Sequence, residues 1–166
     1  MLRRLGTWIP LLRGDGRRLI TVDATAPDFT LDSTEGELTL SRRLLIGAVL
    51  LVFYRPGNQR AAAQQLSAYR DDLDVLDRLG LQLLAANEEK MEVHRILATE
   101  HRLPFPVLSD PGGQVARQYG ARGLLGRTRP ALVIVGRDRR VRWSLAGEAT
   151  VTMRAGDLRG AAGSFL

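Results

Sequence analysis

The stretch from Val49 to Arg70, VLLVFYRPGNQRAAAQQLSAYR, contains the signals for a strand, a loop and a helix in succession. Its first five residues are apolar, which predicts a strand buried on both faces of a sheet. Asn58 belongs to the residue types that cap helix N-termini, and Leu66 and Tyr69 share one apolar helical face. Because unpaired N–H groups give a helix start a partial positive charge, this position favours anions and would lower the pKa of a thiol.

No thiol is present at this position or anywhere else, because the chain of 166 residues contains no cysteine. Disulfides, thiolate–metal sites and every thiol mechanism are therefore excluded for this chain. The two histidines, His94 and His101, stand seven residues apart, whereas metal-ligand pairs on one helix are spaced three or four apart. The sequence consequently predicts no metal site, and it indicates no cofactor.

Outward from this stretch, apolar strand-like runs alternate with helical patterns. Such alternation predicts an α/β protein, and the last two strands, joined by a short turn, predict an antiparallel hairpin. Asn87 is interpreted as the cap of the second helix, with Glu88 and Glu89 in its first turn. The predicted elements are a hairpin within 26–44, strands at 46–54, 81–86, 103–110, 131–135 and 141–147, and helices at about 60–79, 88–102 and 111–119.

The length suits one domain, which we expect at residues 22–148, with a basic N-terminal extension at 1–21 and a tail at 149–166. The apolar stretch near the N-terminus is interrupted by Gly6 and Pro10 and is too short for a signal peptide. No segment approaches the roughly 18 consecutive apolar residues of a membrane span. These features predict a soluble cytoplasmic protein.

The formal net charge is +6, and every basic residue except Lys90 is an arginine. Arginine binds phosphate and carboxylate through paired hydrogen bonds, so an anionic partner is one interpretation. The arginines are scattered along the whole chain, however, which favours the alternative of a compositional bias and a solvated surface. Aromatic residues make up only 5% and no recognition motif is visible, so nucleic-acid binding is not favoured.

Four segments in this order resemble the peroxiredoxins of the alkyl hydroperoxide reductase/thiol-specific antioxidant (AhpC/TSA) family. They are APDFTL from Ala26, VLLVFYRP from Val49, LPFPVLSDPGGQVARQYG from Leu103 and RPALVIVGRDRRVRW from Arg129. The resemblance covers about residues 22–147. It implies a thioredoxin-like fold with a central mixed sheet and flanking helices, and a homodimer as the expected assembly. It also implies peroxide reduction by a cysteine at the start of the helix after the first buried strand.

In this sequence the resemblance assigns the peroxidatic cysteine to Ala62 and a nearby threonine to Gln59. A closely similar branch of the family has two cysteines, which would fall at Gln59 and Ala62. Neither residue present can become a sulfenic acid, so the direct thiol-peroxidase mechanism is excluded. Arg129 stands where the resemblance implies an active-site arginine, and Pro130 matches the proline that follows a cis peptide bond in thioredoxin folds.

Several residues could still form an anion pocket beside the helix start. Arginines and backbone N–H groups would there hold a small anion or carboxylate without catalysing a reaction. The alternative is that these arginines pair with local acids or point to solvent. The candidate pocket residues are Arg55, Asn58, Gln59, Arg60, Arg129 and Pro130.

The sequence thus predicts a family member that keeps the fold, has lost the thiol, and acts as a binding or interaction module. Its expected partners are a small anion or carboxylate, a protein, and a second copy of the chain, without nucleic acid or membrane. The alternative is an antioxidant oxidoreductase whose redox group comes from a bound cofactor or from a partner's thiol. Whether the chain is an enzyme is left open by the sequence.

Overall fold

A computed structural model describes residues 18–162 of the chain. In this part the strands are β1 Thr30–Ser33, β2 Gly36–Thr39, β3 Ala48–Phe53, β4 Leu81–Asn87, β5 Val107–Ser109, β6 Ala131–Val135 and β7 Val141–Ala146. They form one sheet in the order β2-β1-β5-β4-β3-β6-β7. None of the described helices is long and apolar enough to cross a membrane.

The sheet is mixed. β3 runs parallel to β4, and β4 runs parallel to β5, whereas β3 pairs antiparallel with β6. β6 and β7 form an antiparallel hairpin with an irregularity after Ile134. β1 and β2 form a second hairpin, which joins the sheet where β1 pairs with β5. The predicted α/β class, the mixed sheet and the C-terminal hairpin are confirmed.

β3 is the centre of the core because its side chains alternate between two faces of the sheet. Leu51 and Phe53 lie in one apolar cluster with Tyr119. Leu50 lies on the opposite face, in a second cluster with Leu66 of the next helix. After its first residue, no side chain of β3 is more than 2% exposed, which confirms the prediction of a strand buried on both faces.

Short α-helices flank the sheet. The prediction of one continuous helix over 60–79 is wrong. The backbone leaves helical geometry at Asp72 (φ −102°, ψ 16°). The Asp72 carboxylate accepts hydrogen bonds from Nε and Nη2 of Arg154, both at 2.8 Å, and these bonds lower the pKa of Asp72. The α-helices are α1 Leu40–Arg43, α2 Gln59–Asp71, α3 Leu73–Arg78, α4 Met91–Glu100, α5 Gln114–Tyr119 and α6 Arg159–Ala162.

The second predicted helix also begins later than expected. α4 starts at Met91, after Lys90 in extended geometry (φ −69°, ψ 155°). Asn87 therefore does not cap it. Its side-chain oxygen instead accepts the N–H of Glu89 at 2.9 Å, a local turn that competes with helix formation. Glu88 and Glu89 consequently lie in a turn before the helix, where their side chains reach other loops.

α5 is capped from the interior of the protein. Asp110, which is 1% exposed, accepts the backbone N–H groups of Val115 at 3.0 Å and Ala116 at 2.9 Å. A 3₁₀ turn over Pro111–Gly113 precedes the helix, and Gly120 ends it with φ +75°. The sequence prediction that the third helix ends at this glycine is confirmed.

The segments before β1 and after β7 pack against opposite faces of the sheet. Before β1, the N–H of Ile20 donates to the carbonyl of Tyr119 at 2.9 Å. After β7, Ala155 and Leu158 are completely buried in the cluster that contains Leu66. These contacts hold both flanking segments on the helices that surround the candidate site.

Candidate functional site

Three loops meet where parallel strands β3 and β4 end. The loop Tyr54–Asn58 leads from β3 into α2, and the turn Glu88–Lys90 leads from β4 into α4. The third loop, Gly120–Pro130, leads from α5 into β6, which is the antiparallel neighbour of β3. In α/β proteins, ligands commonly bind beyond the carboxyl ends of the parallel strands, so the candidate site lies in the expected part of the fold.

The start of α2 presents the two positions where the family resemblance expects sulfur. Asn58 caps the helix, as predicted, by accepting the N–H of Ala61 at 2.9 Å. Gln59 is the first helical residue and is exposed. Ala62 lies one turn further on, is 4% exposed and belongs to the apolar cluster around Leu66. At the positions to which the resemblance assigns the cysteines, the α2 start therefore presents an amide and a methyl group.

A carboxylate of the protein itself lies beside this helix start. Glu89 accepts the backbone N–H of Gly57 at 2.5 Å and the side-chain amide of Gln59 at 2.9 Å. Negative charge is favourable there because the first N–H groups of a helix have no partner within the helix. The sequence predicted an external anion at this position; in the structure, the group that makes these contacts is the side chain of Glu89.

The carboxylate of Glu88 binds the loop before β6. Glu88 accepts the backbone N–H of Thr128 at 3.1 Å and also accepts the hydroxyl of Thr128. The two glutamates of one turn thus bind loops on both sides, which the sequence interpretation as helix-dipole partners did not foresee. These contacts could have been expected from the position of the two glutamates directly after a buried strand, at the sheet edge where loops converge.

Beneath this turn lies a buried polar pair. The hydroxyl of Tyr54 and Nδ1 of His94 are 3.0 Å apart, and the two side chains are 1% and 0% exposed. Burial, together with the negative charges of Glu89 and Glu88, raises the pKa of Tyr54. Burial lowers the pKa of His94 and outweighs the opposing effect of Glu89. Both groups are therefore neutral near pH 7. His94 contributes to the site through its contact with Tyr54 in the core.

A groove of about 780 Å³ opens beside the α2 start. We call it the arginine groove. One wall comes from the β3–α2 loop and the other from the loop before β6. It is lined by Arg55, Pro56, Arg122, Gly123, Leu124, Leu125, Arg127, Thr128 and Arg129.

The arginines of this groove differ in their contacts. Arg55 forms an ion pair with Glu148, and its hydrogen bond lowers the pKa of that carboxyl group. Arg122 donates Nε to the carbonyl of Gly126 at 2.9 Å. Nη1 of Arg127 lies 3.5 Å from where a Cβ on Gly57 would stand, so this side chain reaches across to the opposite wall.

Arg129 is held by the backbone of its own loop. Its Nε and Nη2 donate to the carbonyl of Gly120 at 3.1 and 2.8 Å. The Arg129–Pro130 peptide bond is trans, so the cis bond implied by the family resemblance is wrong. The backbone around it is extended toward β6: the Pro130 carbonyl accepts the N–H of Gly147 at 2.9 Å. Trans is the lower-energy form of such a bond unless the surrounding structure imposes the other.

The six predicted pocket residues are only partly brought together. Arg55 and Arg129 line the arginine groove, whereas Asn58 and Gln59 form the α2 start beside it. Arg60 is exposed on the first turn of α2 and does not line the groove, because the groove extends toward the loop before β6. Pro130 is buried at the entry to β6. Arg122 and Arg127 were not among the predicted pocket residues, although the run RGLLGRTR from Arg122 marks both by its density of arginine.

Comparison with known sequences identifies one family. The AhpC/TSA family profile matches residues 22–144. A chloroplastic peroxiredoxin Q from Sedum lineare is 27% identical over 121 residues, covering 73% of this chain and 65% of that protein. A chloroplastic peroxiredoxin Q from Populus jackii is 29% identical over 105 residues, covering 63% of this chain and 49% of that protein. The chain thus spans less than two thirds of the length of either relative.

Solved structures share the architecture. Peroxidoxin BcpB from Mycobacterium tuberculosis matches with a TM-score of 0.77 and 24% identity, covering 88% of this chain and 96% of that one. A cysteine-to-serine variant of peroxiredoxin 6 from Arenicola marina matches with a TM-score of 0.76 and 21% identity, covering 86% and 72%. At such identities the likeness concerns the fold alone, and it confirms the thioredoxin-like architecture predicted from the sequence.

Proposed function

The chain belongs to the AhpC/TSA family, and we propose that it is a member without thiol-peroxidase activity that functions as a binding module for organic anions. The observation that carries this proposal is that the sequence contains no cysteine. By the sequence resemblance, the family's cysteine positions correspond to Gln59 and Ala62 at the start of α2. A peroxidase of this kind needs a thiolate that becomes a sulfenic acid, and no atom of either side chain undergoes that step.

Binding of an anion is supported by the arginine groove. Its volume falls in the range of small-molecule sites, and four of its lining residues are arginines. Hydrogen bonds to carbonyl groups, such as that of Arg122, satisfy a guanidinium N–H but leave its positive charge uncompensated. The groove therefore suits a carboxylate better than a neutral ligand.

The proposal is tested by two measurements on the purified chain. A peroxidase assay with hydrogen peroxide and a thioredoxin reductant should show no turnover above the protein-free reaction. Calorimetric titration with carboxylates should show saturable binding that weakens at high salt, because ionic screening reduces the attraction. Turnover comparable to that of a thiol enzyme would refute the loss of activity.

The alternative oxidoreductase function has its own outcome in the same preparation. A visible absorbance band, bound metal, or peroxidase activity that appears only with a partner's thiol would support that alternative over a non-catalytic module. The homodimer and the cytoplasmic location inferred from the sequence stay predictions. Sedimentation velocity of the full chain tests the first, and fractionation of the native cells tests the second.

A further inference from the structure

The arginine groove has an apolar side that an anion alone would leave uncovered. Leu124 and Leu125 are 75% and 92% exposed, and Leu125 is the most exposed large apolar side chain in the described part of the chain. Pro56 lines the same groove from the β3–α2 loop. Exposed apolar side chains that adjoin a concave surface commonly mark binding sites.

The cationic side of the groove lies next to these leucines in the same loop. Within residues 18–162, Arg122 and Arg127 make no ion pair, so their charges are available to a ligand. Arg127 approaches Gly57 on the facing wall, which places a guanidinium between the two loops. Apolar contacts and positive charge are thus separated by only two or three residues of chain.

We propose that the groove binds an amphipathic organic acid, with its carboxylate on Arg127 and Arg122 and its aliphatic chain along Leu124, Leu125 and Pro56. This inference rests on the proposed binding function and names the class of ligand. It accounts for the charge and the exposed leucines together, since a hydrophilic anion would leave the leucines in water and a neutral alkane would leave the charges unmatched.

Other occupants fit less well. A second copy that used the same face would bring the arginines of one groove against those of the other, and like charges oppose such pairing. Nucleic acid would match the charge but would not cover two leucines. A flat lipid surface would contact the loop tip but would not enter a groove between two walls.

The experiment is calorimetric titration of the full chain with decanoate below its micellar concentration, compared with acetate and with decanol. Decanoate should bind saturably, and acetate and decanol should each bind at least about tenfold more weakly, since each lacks one half of the recognised structure. Arg127→Gln should weaken decanoate binding by about tenfold, and Leu125→Ser by about fivefold or more. Arg95→Gln and Ile96→Ser on α4 are matched controls, because both residues are exposed and lie outside the groove, and they should leave affinity unchanged.

The outcomes separate this inference from the proposed function. Acetate that binds as tightly as decanoate, with no effect of Leu125→Ser, would refute the amphipathic ligand and leave an anion-binding module. Absence of binding by both acids would refute both. Decanol that binds as tightly as decanoate would overturn the role of the arginines. Co-sedimentation with vesicles of anionic phospholipid, without saturable decanoate binding, would show that the loop serves a membrane surface instead.

Discussion

Replacement of His94 by glutamine should change how the stability of the protein depends on pH. The imidazole is fully buried beneath the Glu88–Glu89 turn, and Nδ1 lies 3.0 Å from the hydroxyl of Tyr54. A protonated imidazole would be desolvated in this place. Glu89 and the nearby carbonyl groups of Asn87 and Glu89 favour the charged form, but burial outweighs them and the pKa of His94 is lowered.

The sign follows from proton binding in the two states. An unfolded histidine has a pKa of about 6.5, so between that value and the lower folded pKa the unfolded chain binds more protons. The free energy of unfolding is therefore retained above about pH 6.5 and falls as the pH decreases toward the folded pKa. One proton gives a maximal slope of about 1.4 kcal/mol per pH unit. Asp28 and Asp72 also have lowered pKa values, but their stabilisation is lost only below about pH 4 to 5.

The assay is urea unfolding of the wild type and His94→Gln at intervals between pH 5 and 7.5. At pH 7.5 the variant should be less stable by about 1–3 kcal/mol, because a buried hydrogen-bond partner of Tyr54 is replaced. Its stability should decrease less steeply than that of the wild type as the pH falls. Parallel curves for the wild type and His94→Gln would refute the reasoning.

Three further predictions test the frame of the site. Asp110→Ala should lower the free energy of unfolding by about 2–4 kcal/mol in urea titrations, and Asp110→Asn by less, because alanine leaves two buried N–H groups unpaired; equal losses would argue against the cap. Gly120→Ala should lower the free energy of unfolding by about 1–3 kcal/mol and expose the segment before β1 to proteolysis. The reason is that φ is +75° and the new Cβ would clash with the Arg18 carbonyl oxygen; an unchanged cleavage pattern would contradict this. Gln59→Cys should react with a disulfide reagent faster than Ala62→Cys, because position 59 is exposed at the helix start and position 62 is buried; equal rates at pH 7 would count against that geometry.

Local patterns sufficed for much of the fold. The apolar run of β3 predicted its burial on both faces, and Asn58 and Gly120 marked a helix start and a helix end, because caps and alternation depend on neighbouring residues. Helix continuity was harder to predict. The break at Asp72 involves Arg154, which is 82 residues away in the chain, and no local pattern contains that contact.

The candidate site shows the same division. The absence of cysteine was determined by the sequence alone, since composition is a property of the chain. The assignment of the family's cysteine positions to Gln59 and Ala62 also came from the sequence, and it stays a prediction. The partners of Glu88 and Glu89 were decided by the tertiary structure, because their carboxylates reach residues 40 and 32 positions away in the chain. Charge and hydrogen bonding act through space, so only the folded chain shows that the carboxylate of Glu89 lies beside the helix start, next to the open arginine groove.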